Sequence, residues 1–251
     1  MKKILFFSCL TILFLSIYSF AHGNGDSLDT DQDGISDYDE VTIYHTNPNY
    51  YDTDGDGWDD GAEIEYLYSP LHANGRKMVD VDSDGDGLND KWELAIGTDI
   101  LTADTDGDGY SDNEELIHNY NPRVAGGARA NKFIKVDITE QNLAYYFDGK
   151  LLDSFPISGG VASMPTPLGE FTILNKVPSK DYGGSGYNFY YPGTKWNMHF
   201  TTDYWRYYIH GAYWHENFGN PMSHGCVNVS YEHMERLYEF TDIGTKVLIH
   251  K

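Results

Sequence analysis

The sequence predicts a mainly β protein, in which a small β-sandwich or barrel-like domain with one or two helices follows a loop-rich, acidic region. Two observations lead to this prediction. Residues 22–124 contain 27 Asp and Glu against 4 Lys and Arg, whereas residues 125–251 contain 12 against 11. The acidic part repeats one twelve-residue pattern four times, and the remainder alternates apolar and polar residues with the period of two that is typical of strands. We therefore expect two regions with different roles.

The N-terminus has the composition of a secretory signal peptide. Lys2 and Lys3 precede an apolar run from Ile4 to Phe20, and a small-residue cleavage pattern ends at Ala21. Cleavage would leave residues 22–251 in the periplasm, the cell envelope or the extracellular space. The alternative is an uncleaved membrane anchor, because the apolar run is long for a signal. No later segment is apolar for long enough to span a bilayer.

Four segments of the acidic region have Asp at positions 1, 3, 5 and 9, Gly at position 6 and Glu at position 12. Calcium takes about six to eight oxygen ligands in a flexible geometry, which a tight acidic loop with glycine at position 6 can supply. We expect the carboxylates, together with the backbone carbonyl at position 7, to bind structural Ca²⁺. The predicted ligands are Asp29, Asp31, Asp33, Ile35, Asp37, Glu40, Asp52, Asp54, Asp56, Trp58, Asp60, Glu63, Asp82, Asp84, Asp86, Leu88, Asp90, Glu93, Asp104, Asp106, Asp108, Tyr110, Asp112 and Glu115.

The composition of this region also excludes several partners. Its negative charge disfavours nucleic acid and anionic lipid, and Mg²⁺ is disfavoured because it requires a stricter octahedral geometry. The alternative of a solvated acidic linker does not account for four copies of the same twelve-residue pattern. The loops begin 23, 30 and 22 residues apart, which leaves room for only one short helix after each loop, so these are not paired EF-hands. The longer interval, residues 64–81, predicts irregular stacking between the second and third loops.

Residues 26–122 resemble thrombospondin type 3 repeats and related bacterial calcium-binding repeats. The resemblance implies loops threaded along calcium ions with little hydrophobic core. Residues 123–131 are small and unpatterned and are predicted to be a linker. We accordingly expect the acidic region to lose structure in a chelator while the C-terminal domain persists, and to act as a spacer or to bind an envelope protein.

The C-terminal half, residues 132–251, contains clear strand and turn signals. The predicted strands cover residues 133–138, 143–147, 150–157, 170–177, 206–209 and 246–250. Asp148-Gly149 is the typical sequence of a two-residue hairpin turn. One helix is expected to begin after an N-cap at Ser230 and to stop at Gly244, because Met234 and Leu237 recur at helical spacing between them.

Cys226 is the only cysteine left after cleavage of the signal, so no internal disulfide can form. A thiol attacks an amide as the thiolate and therefore needs a base close by. Two histidines qualify: His224, two residues before the cysteine, and His210, at the end of a predicted strand. Gly225 removes a side chain directly before the nucleophile, and backbone N–H groups around Cys226 could form an oxyanion hole.

Four segments occur in the order found in the L,D-transpeptidase (YkuD-like) family. They are Val136-Asp-Ile with Leu-Ala-Tyr-Tyr-Phe-Asp-Gly-Lys, Pro165-Thr-Pro-Leu-Gly-Glu-Phe-Thr-Ile, Tyr208-Ile-His-Gly and Met222-Ser-His-Gly-Cys-Val-Asn-Val-Ser. The resemblance implies a cysteine acyltransferase that needs no cofactor for catalysis. It implies His210 as the base, oriented by the backbone carbonyl of Gly211, and places His224 beside the nucleophile to bind substrate or the oxyanion. Many members carry serine where Gly211 stands, so the third member of the triad departs from the family pattern.

The family reaction implied by the resemblance acts on peptidoglycan stem peptides. Cys226 attacks the carbonyl of the third residue, a diamino acid, the terminal D-Ala leaves, and an amine of a second stem takes the thioester. Hydrolysis and attachment of a protein amine use the same site and remain alternatives. A non-catalytic, calcium-dependent envelope-binding protein is an alternative of another class.

Other polar and aromatic residues have less definite roles. His199, His215 and His233 are interpreted as structural. The aromatic segment 182–208, which includes Gly183-Gly184-Ser185-Gly186, matches a mobile lid that grips the stem peptide in the family, although ordinary packing explains its composition equally well.

Overall fold

The computed structural model describes residues 28–184, 189–202 and 206–251. The predicted signal peptide lies outside these ranges. Within them, no helix combines the length and the apolar character needed to cross a bilayer.

The C-terminal half is built from two β-sheets and one long helix. The strands are β1 (Lys132–Asp137), β2 (Asn142–Phe147), β3 (Lys150–Pro156), β4 (Gly169–Thr172), β5 (Asn175–Gly183), β6 (Tyr190–His199), β7 (Tyr208–Gly211), β8 (Val227–Val229) and β9 (Lys246–His250). One sheet has the order β3-β2-β1-β9-β4 and the other β5-β6-β7-β8. Buried residues alternate along β1 and β2, as the sequence pattern predicts, and their side chains form a core with the C-terminal helix.

The turn signal and the start of the helix after Ser230 are confirmed, whereas the expected stop at Gly244 is wrong, because the helix ends at Phe240 and Thr241 is already extended. Asp148 and Gly149 both have positive φ angles, 45° and 80°, as a type I′ hairpin requires. The C-terminal helix spans Tyr231–Phe240 and buries Met234 and Leu237 completely. The predicted mainly β architecture, with two sheets and few helices, is therefore correct.

The predicted strand 170–177 is wrong as a single element, because it is divided between the two sheets. The N–H of Ile173 donates to Thr245 O beside β9, whereas the N–H of Leu174 donates to His199 O at the end of β6. Adjacent residues thus pair with different sheets, and the chain crosses the core between β4 and β5. The sequence analysis also did not predict β6 or β8.

The acidic region contains short helices next to the predicted calcium-binding loops. They are α1 (Asp37–Asp39), continued by a π-helical turn (Glu40–Tyr44), α2 (Asp60–Glu65), a 3₁₀ turn (Met78–Asp80), α3 (Asp90–Ile96) and α4 (Asp112–His118), and the C-terminal helix is α5. We call the four acidic segments loop 1 (residues 29–40), loop 2 (52–63), loop 3 (82–93) and loop 4 (104–115). In every loop a helix begins at position 9, and the position-12 glutamate lies in α2, α3 and α4 or, in loop 1, in the π-helical turn that continues α1.

The four loops form two equivalent units, which we call unit 1 (residues 29–78) and unit 2 (residues 82–130). In each unit the second loop is followed by a short hairpin, closed by the antiparallel bridges Tyr68–Lys77 and Tyr120–Arg129. The longer interval after loop 2 therefore has a counterpart after loop 4. This interval is an ordered hairpin that the chain repeats, and the expected irregular stacking of loops 2 and 3 stays a prediction.

The spacing between the two loops of unit 1 is one residue longer than in unit 2, and a π-helical turn in unit 1 accommodates the extra residue. Loops 1 and 2 begin 23 residues apart, and loops 3 and 4 begin 22 apart. In unit 1 the N–H of Thr46 donates to Glu40 O across the π-helical turn, whereas in unit 2 the N–H of Thr98 donates to Glu93 O. A π turn accommodates one additional residue without changing the course of the flanking chain.

Unit 2 packs directly onto the β-sheets. The indole of Trp92 in α3 lies edge-on to the rings of Tyr145 and Phe240, with centroids 5.7 and 6.0 Å away. Lys91 forms an ion pair with Asp153 of β3 at 2.9 Å. Leu88, Ile96 and Leu116 belong to the same buried core as the two sheets.

The segment predicted to be a linker, residues 123–131, lies largely in the hairpin of unit 2 and leads directly into β1. At the start of β1, the buried ammonium of Lys132 donates to Asp242 Oδ2 at 2.7 Å and to Ile117 O at 3.1 Å. The expectation that the C-terminal domain persists while the acidic region unfolds does not agree with this packing, because the two halves share one hydrophobic core. Unit 1 contacts unit 2 through a smaller cluster that includes Met78, Leu94 and Ile100.

We predict that Trp92→Ala lowers the free energy of unfolding by about 3–5 kcal/mol, the usual range for removing a buried large aromatic side chain. Urea denaturation of residues 22–251, followed by near-ultraviolet circular dichroism, measures this change. Trp58→Ala is the matched control, because Trp58 is 63% exposed in loop 2 and its removal is expected to change stability by about 0.5 kcal/mol or less. Equal small effects of both substitutions would contradict a shared core.

Candidate active site and metal-binding loops

Cys226 and His210 lie on neighbouring segments of the second sheet. Cys226 is half-buried in the turn that leads into β8, and His210 lies in the buried strand β7. These strands are parallel, and His210 pairs with Asn228, two residues after the cysteine. The ring of Tyr182 stacks on His210 and is close enough to Cys226 for the thiolate charge to raise its pKa, so the thiol and the imidazole lie around one aromatic side chain.

The imidazole of His210 is held in one orientation. Its Nδ1 lies 2.9 Å from Gly211 O, the hydrogen bond that the sequence analysis expected. Because Nδ1 donates this bond, Nε2 carries the lone pair. Burial lowers the pKa of His210 to about 4, so that the ring is neutral at neutral pH.

The phenol ring of Tyr182 contacts His210 and lies near enough to Cys226 to feel the charge of its thiolate. It stacks on His210 with centroids 4.5 Å apart, and its hydroxyl donates to Asn197 Oδ1 at 2.9 Å. Burial and then the charge of the Cys226 thiolate raise the pKa of Tyr182. Tyr182 therefore remains a neutral donor that fixes one face of the imidazole.

Cys226 is also neutral at rest. Burial raises the pKa of its thiol to about 11, although a hydrogen bond from the Tyr208 backbone and the charge of Lys180 act in the opposite direction. With His210 neutral as well, the resting pair is a thiol beside an imidazole. Proton transfer between them must therefore accompany the reaction of the sulfur.

The turn before Cys226 depends on glycine and on a serine hydroxyl. Gly225 has a φ angle of +110°, and a Cβ built there would lie 2.3 Å from the Tyr207 ring. Ser223 Oγ accepts from the Gly225 N–H at 3.1 Å and donates to Cys226 O at 2.5 Å. The Gly225 N–H is thus occupied, whereas the Cys226 N–H donates to no residue in the described ranges.

Thr166 of the Pro165-Thr-Pro-Leu-Gly segment forms hydrogen bonds that hold this turn in place. Thr166 Oγ1 accepts from the Gly160 N–H at 2.9 Å and donates a long hydrogen bond to Cys226 O at 3.5 Å. A Cβ at Gly160 would lie 2.2 Å from Met164 O, so the close approach requires glycine. The sequence analysis quoted Thr166 and Ser223 within motifs and gave neither a role.

Carboxylates of each loop converge at positions 1, 3 and 5. Three carboxylate oxygens, one from each residue, lie within 4.8 Å of one another in the groups Asp29, Asp31 and Asp33; Asp52, Asp54 and Asp56; Asp82, Asp84 and Asp86; and Asp104, Asp106 and Asp108. A further group joins loop 1 to loop 2 through Asp33, Glu40 and Asp60. Such convergence of like charges is unfavourable unless a cation compensates it.

Each position-12 glutamate is buried and has at least one carboxylate oxygen without a hydrogen-bond partner. Glu93 and Glu63 have both carboxylate oxygens buried and unpaired, and Glu40 and Glu115 each have one. Burial, followed by repulsion from Asp84, raises the pKa of Glu93 to about 10. A buried carboxylate with neither donor nor cation is costly, so these oxygens fit a divalent cation.

Position 9 has a different environment. Each aspartate there accepts a backbone N–H and a hydroxyl from position 2 of its own loop, as Asp90 does from Ser83 at 2.8 and 2.7 Å. The equivalent pairs are Asp37 with Thr30, Asp60 with Thr53 and Asp112 with Thr105. These aspartates close the loops, and their role as metal ligands stays a prediction, as does that of the position-7 carbonyls.

Comparison with known families assigns both regions. Residues 131–249 match the family model of the L,D-transpeptidase catalytic domain, and residues 29–49, 82–99 and 104–122 match the bacterial TSP3 repeat. Residues 131–249 are an L,D-transpeptidase catalytic domain. The matched repeat segments contain loops 1, 3 and 4, and loop 2 lies outside them. No curated protein matches the chain.

Several solved structures are similar to the L,D-transpeptidase domain. The L,D-transpeptidase from Mycobacterium smegmatis is 25% identical over 50% of this chain and 61% of its own, with a TM-score of 0.46. One from Mycobacterium tuberculosis is 26% identical over 50% and 60%, with a TM-score of 0.45. The catalytic domain from the E. faecium L,D-transpeptidase is 30% identical over 48% and 97%, with a TM-score of 0.42. This chain therefore spans about three fifths of the two mycobacterial structures.

The L,D-transpeptidase domain has a local reason for glycine at position 211. A Cβ there would lie 2.5 Å from the ring of Tyr231, whose hydroxyl accepts from the Lys195 N–H at 3.0 Å. A serine at this position would displace Tyr231. Glycine in place of the family's serine at position 211 therefore removes only the serine side chain. The backbone carbonyl of Gly211, which orients His210, stays in place.

His224 lies apart from the buried pair. It is exposed and stacks on Phe189 with centroids 4.9 Å apart. Phe189 also stacks on Tyr191, which stacks on Trp214 at 3.9 Å. Phe189 and Tyr191 belong to the predicted lid segment, of which residues 185–188 and 203–205 lie outside the described ranges.

The three histidines interpreted as structural have aromatic or amide neighbours. His233 stacks on Phe155 at 4.4 Å, and His199 packs against Tyr208 at 4.9 Å. His215 Nε2 lies 3.2 Å from Asn228 Nδ2. Tyr182, by contrast, stacks on His210 of the catalytic pair. The sequence analysis did not assign it a role, because it lies in a stretch rich in similar aromatic residues.

We predict that free residues 22–251 show no thiolate absorbance from Cys226 at pH 7, since the thiol ionises only near its pKa of about 11. The difference in ultraviolet absorbance between the wild type and Cys226→Ala, followed from pH 5 upwards, measures this. Reactivity that depends on His210 as a base is expected to disappear as the pH falls through about 4, where the ring becomes protonated. A full thiolate band at pH 7 would contradict a neutral pair.

Proposed function

We propose that this chain is an exported L,D-transpeptidase that cross-links peptidoglycan stem peptides through a thioester on Cys226. The observation that carries the proposal is the placement of Cys226 directly before β8 and of His210 in the neighbouring strand β7, both close to the Tyr182 ring, within the L,D-transpeptidase domain. His210 is buried and its Nδ1 is engaged by Gly211 O, so Nε2 is the nitrogen available to accept a proton. Export rests on the signal-like composition of residues 1–21.

In the proposed first step, Cys226 Sγ attacks the carbonyl carbon of the third stem residue, a diamino acid. The thiol proton passes to His210 Nε2 as the C–S bond forms, because neither group is ionised beforehand. The unpaired Cys226 N–H is the donor we assign to the developing oxyanion, and Gly225 contributes the backbone conformation that exposes it. His210 then returns the proton to the nitrogen of D-Ala as the C–N bond breaks.

In the second step an amine of another stem attacks the thioester carbonyl and gives a proton to His210 Nε2; the C–S bond then breaks, and His210 passes this proton to the released Sγ. Water or a protein amine would enter by the same route, so the product identifies the acceptor. His224 and its partner Phe189 lie at the exposed side of the site, where we propose that they contact the stem peptide.

We predict that Cys226→Ala and Cys226→Ser form no covalent adduct with a carbapenem, whereas the wild type gains one inhibitor mass. His210→Gln is expected to slow acylation by about 10²–10⁴-fold, the usual contribution of a general base. Intact-protein mass spectrometry measures both. His118→Gln, an exposed histidine of α4, is the matched control and is expected to react like the wild type. An adduct on Cys226→Ala would refute the nucleophile.

The acceptor requires a separate experiment. Residues 22–251 are incubated with disaccharide-tetrapeptide, and the masses of the products are determined. A dimer that has lost one D-Ala supports transpeptidation, a tripeptide supports hydrolysis, and no change contradicts both.

We also propose that the acidic loops hold structural Ca²⁺ through the carboxylates at positions 1, 3, 5 and 12 and the carbonyl at position 7, with position 9 closing the loop. The unpaired oxygens of Glu63 and Glu93 support this proposal. Bound calcium would supply the positive charge that lets these buried carboxylates ionise. Since Glu93 and Trp92 are adjacent in α3, filling loop 3 would also order the contact with the β-sheets.

We predict that a chelator lowers the stability of the L,D-transpeptidase domain and not only that of the loops. A ligand present at about a thousand times its dissociation constant stabilises the folded state by about 4 kcal/mol. Calorimetry with and without chelator measures the shift in Tm. Glu93→Gln in loop 3 is expected to reduce the calcium-dependent part of Tm more than Glu40→Gln in loop 1, because α3 contributes to the shared core and the helical turns of loop 1 do not. Equal effects would contradict this coupling.

A further inference from the structure

Lys180 brings a positive charge to the edge of the proposed active site. It lies in β5, with its Nζ 5.5 Å from the ring centroid of Tyr182 and 5.6 Å from that of Tyr208. Tyr182 is the ring that stacks on His210, and the Tyr208 backbone donates to the Cys226 sulfur. The ammonium therefore lies over the two tyrosines that flank the catalytic pair.

No carboxylate forms an ion pair with Lys180 in the part of the chain that the structure describes, although its charge contributes to the lowered pKa of Asp181 after the Gly193 and Tyr190 hydrogen bonds. The neighbouring residue, Asp181, has one oxygen hydrogen-bonded to the Gly193 N–H at 2.8 Å and the other to the Tyr190 hydroxyl at 3.0 Å. Lys180 itself forms no ion pair with any described residue. Its field reaches the sulfur, since the Lys180 charge lowers the pKa of Cys226 against the effect of burial. A half-buried cation of this kind attracts an anionic group of the substrate.

We propose that Lys180 binds the C-terminal carboxylate of the stem peptide and so selects peptides that end one residue after the attacked carbonyl. This inference rests on the proposed function. In a tetrapeptide stem the carboxylate of the terminal residue lies within about 4 Å of the scissile carbonyl carbon, which makes it the negative charge nearest to the reacting bond. A peptide one residue longer has a neutral amide in that place and leaves the ammonium unpaired.

A purely structural role is the competing explanation, because an ammonium also stabilises tyrosine rings by cation–π contact. The two roles differ in how they depend on substrate charge. A structural lysine affects all substrates equally, whereas a carboxylate-binding lysine discriminates between a free carboxylate and a carboxamide at the C-terminus.

The test compares two disaccharide-tetrapeptides, one with a free C-terminal carboxylate and one with a C-terminal carboxamide, on residues 22–251. We expect the wild type to be acylated by the carboxylate form with a KM lower by about tenfold or more. Lys180→Met is expected to lose this preference mainly by raising KM, and Lys180→Arg to restore part of it. Lys195→Met is the matched control, since Lys195 lies over Trp196 at 5.2 Å on the exposed part of β6.

A second measurement probes the charge without the stem peptide. Alkylation of Cys226 by iodoacetate, which is anionic, is compared with alkylation by iodoacetamide, which is neutral; in both, the thiolate displaces iodide. The rate with iodoacetate divided by the rate with iodoacetamide is expected to fall about threefold or more in Lys180→Met and to stay unchanged in Lys195→Met.

The outcomes separate the inference from the function on which it rests. If the wild type reacts with neither peptide, the proposed function fails and the substrate role of Lys180 fails with it. If the wild type reacts but Lys180→Met keeps the preference for the carboxylate, only the inference is overturned. Loss of the preference together with a lower alkylation ratio supports it, and an equal loss of rate on both peptides assigns Lys180 a structural role.

Discussion

The hydrogen bond from His210 Nδ1 to Gly211 O is the contact on which the chemistry of this protein depends. It is short, buried and made within a single strand, so the ring orientation is set by the backbone of β7 and not by a mobile side chain. Tyr182 supports the same ring from one face, and Asn197 in turn holds the Tyr182 hydroxyl. In this way the only polar groups required beside the thiol are fixed before any substrate arrives.

Burial explains why the catalytic pair is neutral at rest. An isolated cysteine and histidine differ in pKa by only about two units, but desolvation raises one and lowers the other. The structure compensates with a hydrogen bond from the Tyr208 backbone and with the charge of Lys180. The site is thus arranged so that charge develops only while an acyl group is bound, which limits unproductive oxidation or alkylation of the thiol.

The sequence was sufficient for those elements whose signals are local. Alternation located β1 and β2, Asp148-Gly149 located their neighbouring hairpin, and motif spacing located Cys226 and His210. It was insufficient wherever a long-range partner decided the outcome. The division between β4 and β5 depends on Thr245 and His199, which are distant in the chain and accept from adjacent N–H groups. The position-9 aspartates look identical to the other loop acids in sequence, and only the hydroxyl at position 2 distinguishes them.

The unequal attachment of the two repeat units has a mechanical consequence. Unit 2 is joined to the catalytic core by Trp92 and its neighbours, whereas unit 1 contacts unit 2 through the small cluster of Met78, Leu94 and Ile100. Tension applied between the N-terminal side and the catalytic core acts on both interfaces at once, and the smaller interface between the units yields first. The contacts of Trp92 with the catalytic core break only at a higher force.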